Sequence, residues 1–171
     1  MGNKLEYLCA PWRSEYFSHK KSECVFCDIV NGRENDEKNG VIFRAKYCFG
    51  VMNLYPYSPG AFMVIPYKHI DNIEGLDDEI WTEMSKFVKK GVEVLKKYIG
   101  ASGVNIGMNL GSAAGAGIAQ HVHYHLVPRW SGDTNFITTI GCVRVNGVPF
   151  SDIYEKIKLG FKEDLKDWRS Y

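Results

Sequence analysis

The 171-residue sequence lacks the features that would assign it to several large classes of protein. No apolar run approaches the roughly 20 residues that a membrane-spanning helix needs, so we expect no membrane association. Five cysteines, an odd number, argue against a disulfide framework in a domain of this size. The 21 basic and 20 acidic residues give a net charge of only +1, which excludes a general nucleic-acid binder.

The length and composition predict one compact globular unit. Hydrophobic residues make up 45% of the chain and charged residues 24%, and both fractions are near the average of globular proteins. A chain of this length buries enough surface to form a core without covalent cross-links. The stretch 1–10 has no apolar core of the kind found in a secretory signal, so we expect a cytoplasmic protein.

The pattern of apolar residues predicts an α+β fold with a mostly antiparallel sheet. Apolar residues at three- and four-residue spacing predict two amphipathic helices, at 77–99 and 151–168. Because the strands form two groups that flank the long helix, an antiparallel arrangement is favoured over a parallel one. The predicted strands are 41–44, 47–52, 61–65, 104–110 and 120–127.

The composition along the chain suggests three segments. Residues 1–23 mix aromatic and charged side chains, and we expect this N-terminal extension to pack on the domain. Residues 24–136 form the predicted core. Residues 137–171 form a C-terminal extension that contains the second helix.

Three of the five histidines fall within one short segment, at His121, His123 and His125. Alternate residues of a strand point to the same face, so these three imidazoles are predicted to lie side by side. Each imidazole needs polar partners, and three of them make a poor core. The pattern therefore indicates a site of chemistry rather than a packing cluster.

Two kinds of chemistry fit three adjacent histidines. They could bind a catalytic zinc ion that keeps water as its fourth ligand. Alternatively, one histidine is a nucleophile, and its neighbours orient it and assist the leaving group. The preceding loop, residues 111–117, contains only small residues and lets backbone N–H groups approach an anion closely. This loop favours the second interpretation, with a phosphate held beside a histidine nucleophile.

The segment 121–127 resembles the signature of the histidine triad (HIT) family, in which three histidines alternate with apolar residues. The resemblance extends to the Pro-Gly turn and strand at 54–69 and covers residues 24 to about 130. The segment 128–136 is similar to a branch that includes bacterial diadenosine tetraphosphate phosphorylases. The resemblance implies a HIT-like fold, with an antiparallel sheet of about five strands, a long helix and a C-terminal helix.

The resemblance also implies a nucleotide hydrolase or nucleotidyltransferase that acts through a nucleotidyl-histidine intermediate. His123 would attack phosphorus, His125 would assist the leaving group, and His121 would complete the catalytic set. The expected substrate is a dinucleoside polyphosphate such as diadenosine tetraphosphate, cleaved by phosphorolysis or hydrolysis. The family pairs as homodimers, and we expect no organic cofactor and no nucleic-acid partner. The implied substrate-binding residues are Asn53, Asn109, Gly115, Gly117 and Gln120.

The sequence departs from the family pattern after the turn Pro59-Gly60, where many members have a histidine and this chain has Ala61. The change removes a polar neighbour from the surroundings of the triad and leaves the nucleophile in place. Two alternatives stay open beside the main hypothesis. One is an adenosine phosphoramidate hydrolase, and the other, which Ala61 motivates, is a nucleotide-binding module with little catalysis.

A second motif is the pair Cys24 and Cys27, which have two residues between them. A lone Cys-x-x-Cys pair is compatible with a zinc site, a redox pair or coincidence, and no thioredoxin-like βαβ pattern supports the redox role. The resemblance to the family branch that carries this motif adds His69 and His121 as the remaining metal ligands. A closed site of two cysteines and two histidines has no open position, so the expected zinc ion is structural.

Overall fold

The computed structural model describes residues 24–54, 56, 58–134, 140 and 148–164. Within these residues the chain forms five strands, three α-helices and two short 3-10 turns at Arg33–Asn35 and Ser112–Ala114. In chain order the elements are α1 (Val25–Asn31), β1 (Val41–Arg44), β2 (Cys48–Met52), β3 (Phe62–Pro66), α2 (Asp78–Ile99), β4 (Gly103–Gly107), β5 (Tyr124–Arg129) and α3 (Phe150–Asp164).

The five strands form one sheet in the order β1-β2-β3-β5-β4, and every neighbouring pair is antiparallel. The α+β class, the antiparallel sheet, the long helix and the C-terminal helix were all expected from the sequence, and the structure confirms them. Since β5 is inserted between β3 and β4, it lies inside the sheet and holds its residues in a fixed frame. β4 lies at one edge of the sheet.

The sheet separates two apolar clusters. The larger one packs α2 and α3 against one face and includes Phe62, Leu126 and Phe161. The smaller one packs α1 against the other face and includes Phe26 and Phe49. The sheet therefore carries its main core on the α2 side and leaves its opposite face to the short helix α1 and the residues around it.

The helix α2 has the end signals that its sequence predicts. Asp77 is the N-cap residue, acidic side chains occupy the first turn, and lysines occupy the last turn, where they complement the helix dipole. Gly100 ends the helix in a left-handed conformation with φ 66°, which favours glycine. One face of the helix is buried against the sheet.

α3 is held against α2 by close packing and by ion pairs. A Cβ atom placed on Gly160 would stand only 2.7 Å from the ring of Tyr98, so the glycine permits the close approach of the two helices. Asp164 accepts from Lys90 at 3.0 Å and from Lys97 at 3.2 Å. Burial opposes the charge on Asp164, but the two lysines outweigh burial and lower the pKa of the carboxyl.

The structure differs from the predicted strands around the histidines. The predicted strand 120–127 begins at Tyr124 and continues through Pro128 to Arg129. Val122 donates its N–H to the carbonyl of Ile70, outside the sheet, at 2.8 Å, so the ladder starts later than the apolar pattern suggests. The proline is tolerated because β5 pairs with β3 only as far as Leu126.

The helix α1 was not predicted, because its seven residues are too few to show a clear helical period. The domain boundaries proposed from the sequence remain predictions. Residues 1–23, 135–139, 141–147 and 165–171 lie outside the described part of the chain, and so does the end of the helix predicted at 151–168.

The helices in the described part of the chain are each too short or too polar to span a lipid bilayer.

The contact between α2 and the sheet predicts the effect of enlarging Gly91. A Cβ atom at this position would lie 2.6 Å from the ring of Phe62 and 2.8 Å from Leu126. The gain in helix propensity from Gly91→Ala is about 1 kcal/mol, and overpacking costs about 1–3 kcal/mol. We therefore expect a net loss of about 1 kcal/mol in the free energy of unfolding, measured by urea denaturation. Thr82→Ala on the exposed face of the same helix is the control, and a more stable Gly91→Ala protein contradicts the close contact.

Candidate active site and metal centre

The first part of the site is a cluster of two cysteines and two histidines from three separate parts of the chain. The ligand atoms of Cys24, Cys27, His69 and His121 all lie within 4.8 Å of one another. Cys24 is the N-cap residue of α1, and the three-residue spacing along the first turn brings the thiol of Cys27 beside it. His69 follows β3, and His121 precedes β5. The structure thus brings together all four metal ligands expected from the sequence.

The distances within the cluster fit a tetrahedral zinc site. The Nδ1 atom of His121 lies 3.4 Å from the sulfur of Cys24 and 3.9 Å from that of Cys27. The Nδ1 atom of His69 lies 3.1 Å from the sulfur of Cys27. Ordinary zinc bonds to sulfur and nitrogen place the two atoms about 3.5 Å apart in a tetrahedron. The donor set and its spacing therefore suit a zinc ion.

The tautomer of His121 is fixed by the protein. Its Nε2 atom lies 2.9 Å from the carbonyl oxygen of Pro66, and a carbonyl can only accept, so Nε2 carries the proton. The lone pair then sits on Nδ1, which faces the two sulfurs. Both nitrogens of His121 are engaged in this way. The triad consequently lacks the third ligand that a catalytic zinc ion on His121, His123 and His125 would need.

The protonation of the cysteine thiols also bears on metal binding. Burial raises the pKa of the Cys27 thiol to about 11, and the neighbouring Cys24 thiol and Asp28 carboxylate add to the shift. Without a cation the Cys27 thiol therefore stays protonated at neutral pH. A metal ion would displace this proton and compensate the charge of two adjacent thiolates.

The second part of the site is the histidine at the middle of the triad. The Nδ1 atom of His123 lies 2.9 Å from the carbonyl oxygen of His121, so Nδ1 carries the proton and donates it. Burial lowers the pKa of His123, which keeps the imidazole neutral at neutral pH. The remaining nitrogen, Nε2, then has a free lone pair. This is the protonation state that a histidine nucleophile needs.

His125, the third histidine of the triad, lies beside the ring of His123. The ring centroids of His123 and His125 are 4.7 Å apart. Burial, together with the neighbouring His123, lowers the pKa of His125 to about 4. Within the described residues, no hydrogen bond reaches either ring nitrogen of His125. Its single N–H is therefore available for a group of a bound ligand.

The strand pairing leaves space beside His125. On one side it is opposite Met63 of β3, and on the other it is opposite Gly107 of the edge strand β4. A Cβ atom at Gly107 would meet nothing within 4 Å in the part of the chain that the structure describes. The site is therefore open towards the edge of the sheet.

The expected substrate-binding residues lie at the ends of neighbouring strands and in the loop before the triad. Asn53 follows β2, is half-buried, and donates its backbone N–H to the carbonyl of Ala61 at 2.9 Å. Asn109 follows β4 and is exposed. Gln120 is exposed and directly precedes His121. The substrate-binding roles of these residues remain predictions.

In the small-residue loop 111–117, backbone N–H groups donate to carbonyls of the same loop. The N–H of Gly115 donates to the carbonyl of Ser112 at 3.0 Å, and that of Ala116 donates to Gly111 at 3.4 Å. Gly111 and Gly115 have positive φ angles of 76° and 87°, and a Cβ atom on either would meet nothing within 4 Å. These glycines therefore shape the turn and keep its surface open.

Sequence reasoning missed two groups that arrange the site. The carbonyl of Pro66 selects the tautomer of His121, and nothing in the sequence marks a backbone oxygen for this role. Phe26 contacts the rings of both His121 and His123. The sequence did indicate that Phe26 is buried, because Phe26 and Ile29 are apolar at a three-residue spacing next to the cysteines.

Comparison with known proteins agrees with this arrangement. The HIT domain family matches residues 34–132, more than half of the chain, so the protein belongs to the histidine triad family. The resemblance inferred from the sequence is thereby confirmed.

The chain is 45% identical over 143 residues to a protein of Mycobacterium tuberculosis named AP-4-A phosphorylase, covering 83% of this chain and 72% of that protein. A solved zinc-bound histidine triad family protein from Mycobacterium smegmatis has the same fold, with a TM-score of 0.69 and 24% identity over 84% of this chain and 96% of that one. A hypothetical histidine triad nucleotide-binding protein from Sulfolobus tokodaii has a TM-score of 0.67 and 28% identity, over 84% and 94% of the two chains.

The geometry of the cysteine–histidine cluster predicts the outcome of removing one thiol. We expect the purified protein to bind about one zinc ion per chain, and Cys24→Ala to weaken zinc binding more than about 100-fold, because a direct ligand is lost. Elemental analysis and competition with a chromophoric chelator measure the two quantities. Cys48→Ala is the matched control, since Cys48 is also a buried free thiol but lies outside the cluster. Equal zinc binding by both variants would rule out this cluster as the metal site.

Proposed function

We propose that this chain cleaves dinucleoside polyphosphates, such as diadenosine tetraphosphate, through a nucleotidyl-histidine intermediate on His123. The observation that carries the proposal is the hydrogen bond from Nδ1 of His123 to the carbonyl of His121, which leaves a lone pair on Nε2. The relative named AP-4-A phosphorylase supports this choice of substrate.

The reaction has two displacement steps at one phosphorus atom. Nε2 of His123 attacks the α-phosphorus, a nitrogen–phosphorus bond forms, and the bond from phosphorus to the bridging oxygen breaks. His125 donates its N–H to that oxygen as negative charge develops on the leaving nucleotide. An acceptor then attacks the same phosphorus and releases His123.

The acceptor decides between phosphorolysis and hydrolysis. Inorganic phosphate would convert the adenylyl group to ADP, and water would convert it to AMP, while ATP leaves in the first step in either case. We propose that Asn109, Gln120 and the loop of Gly115 and Gly117 contact the phosphate chain, and that Asn53 contacts the ribose side. Exposure of Asn109 and of the loop supports these roles.

We propose that the zinc ion is structural. Bound to Cys24, Cys27, His69 and His121, it would supply no open coordination position and would fix the residue whose carbonyl orients the nucleophile. The free thiols and the nucleotide substrate support a reducing cytoplasmic location for the protein.

The proposed reaction predicts a strong effect of His123→Ala. We expect turnover of diadenosine tetraphosphate to fall at least about 1,000-fold, because the nucleophile is lost and no other group forms the intermediate. His125→Ala removes only assistance to the leaving group and should cost about 100-fold or more. The measurement is chromatography of the products with and without inorganic phosphate.

The products identify the acceptor. ADP and ATP that form only with phosphate mean phosphorolysis, and AMP and ATP without phosphate mean hydrolysis. His19→Ala, which changes a histidine outside the triad, is the control. Full turnover by His123→Ala excludes the mechanism. A wild-type protein that cleaves adenosine phosphoramidate but not diadenosine tetraphosphate excludes the proposed substrate.

We also propose that two chains pair through the edge strand β4. Its Ile106 is 48% exposed, and Leu110 just beyond the strand is 40% exposed. Exposed apolar side chains on an open strand edge favour pairing with a second chain.

Pairing through β4 predicts that Ile106→Lys converts a dimer into a monomer, because a charge would enter the apolar contact. Sedimentation velocity measures the change. Leu159→Lys is the control, since Leu159 on α3 is similarly exposed, at 47%, and lies far from the strand in sequence. A monomeric wild-type protein, or a variant that stays dimeric, contradicts this interface.

A further inference from the structure

Phe26 contacts both a member of the cysteine–histidine cluster and the central histidine of the triad. It lies between Cys24 and Cys27 and is only 2% exposed. Its ring meets the ring of His121 edge-on, with centroids 5.5 Å apart at 89°, and the ring of His123 with centroids 5.0 Å apart at 65°. Both separations fall within the range of about 4.5–7 Å at which edge-to-face ring pairs are favourable.

The hydrogen bond of His123 does not by itself fix the orientation of the ring. A single bond from Nδ1 to the carbonyl of His121 selects the tautomer but allows the imidazole to rock about the line that joins the two atoms. A rigid side chain in contact with the ring restricts that motion. Among the described residues, the aromatic rings in contact with His123 belong to Phe26 and His125.

The position of Phe26 depends on the first turn of α1. An isolated helix of seven residues is unstable in water, so α1 needs tertiary contacts to hold its shape. Phe26 packs in the cluster that contains Phe49 and Ile65, and the flanking thiols belong to the metal cluster. A metal ion on Cys24 and Cys27 would therefore fix the turn that carries the phenyl ring.

We propose that Phe26 is a positioning residue that holds the imidazole of His123 in line for attack and couples metal binding at the cluster to the nucleophile. The proposal rests on the function proposed above. It adds a second route from the metal to His123. Besides its ligand His121, the metal would act through the contact between the rings of Phe26 and His123.

The first test compares Phe26→Leu with Phe49→Leu in the zinc-loaded protein. Both changes remove an aromatic ring from the same buried cluster, and Phe49 is 0% exposed. Losing the ring contact with His123 should lower kcat for diadenosine tetraphosphate about three- to tenfold, with KM changed less than about twofold. Phe49→Leu should lose similar stability and keep kcat.

Each kinetic outcome decides the question, provided that circular dichroism shows both variants folded at the assay temperature. An unchanged kcat for Phe26→Leu overturns the proposal. An equal fall in kcat for Phe49→Leu also overturns it, because a general loosening of the cluster would then explain the effect.

A second readout does not require turnover. Nitrogen-15 NMR of the histidine side chains reports the tautomer and the mobility of His123. We expect one Nδ1–H tautomer in the wild type and in Phe49→Leu, and broadened or averaged ring signals in Phe26→Leu. An unchanged His123 signal in Phe26→Leu overturns the positioning role. A wild-type protein without nucleotide turnover would refute the proposed function, and the NMR result would still test the contact.

The link to the metal is tested by combining Phe26→Leu with Cys27→Ala. If Phe26 transmits the effect of the metal, Cys27→Ala alone should lower kcat, and the double variant should have the same kcat as the slower single variant, within about twofold. If the decrease in kcat of the double variant is the product of the two single decreases, the two residues act independently, and the coupling is overturned. An unchanged kcat for Cys27→Ala also overturns the coupling.

Discussion

The carbonyl oxygen of His121 accepts the Nδ1 proton of His123, and the chemistry of the site depends on this hydrogen bond. It places the lone pair on Nε2, which is the protonation state that the proposed attack on phosphorus needs. Burial keeps the ring neutral, because a charged imidazole would lose its hydration in the interior. The same residue, His121, faces the cysteine–histidine cluster with its side chain and donates its remaining proton to the carbonyl of Pro66. His121 thus links this cluster to the proposed nucleophile.

The sheet makes this arrangement possible because the apolar residues of the segment 121–126 and its first two histidines lie on opposite faces. Val122 and Leu126 enter the large apolar cluster on the side of α2, while His121 and His123 face α1. Alternation along the chain therefore continues at His121 and His123, although β5 as a paired strand begins only at Tyr124. The core on the α2 side provides the rigidity, and the smaller cluster around α1 leaves room on the other face for His121 and His123.

The sequence was informative where the chemistry leaves a local pattern. Three alternating histidines are a short motif with few alternative explanations, and the long helix has a clear period and clear end signals. The Cys-x-x-Cys pair is ambiguous alone, and the family resemblance supplied its partners His69 and His121. The same reasoning missed α1, placed the start of β5 too early, and overlooked the contacts of Phe26 with the histidines. Each of these features depends on partners distant in sequence: the sheet face under α1, the carbonyl of Ile70, and the ring of His123.

The replacement of a polar residue by Ala61 is compatible with the same argument. Ala61 is 5% exposed, and its carbonyl accepts the backbone N–H of Asn53, so the backbone rather than a side chain connects this position with the end of β2. An imidazole there would add another buried polar group that needs a partner. The contacts of His123 that the structure shows come instead from the carbonyl of His121 and the ring of Phe26. For the proposed nucleophile these contacts are sufficient when the groups that provide them are immobile, and a metal ion held by α1, His69 and His121 would be a rigid support of this kind.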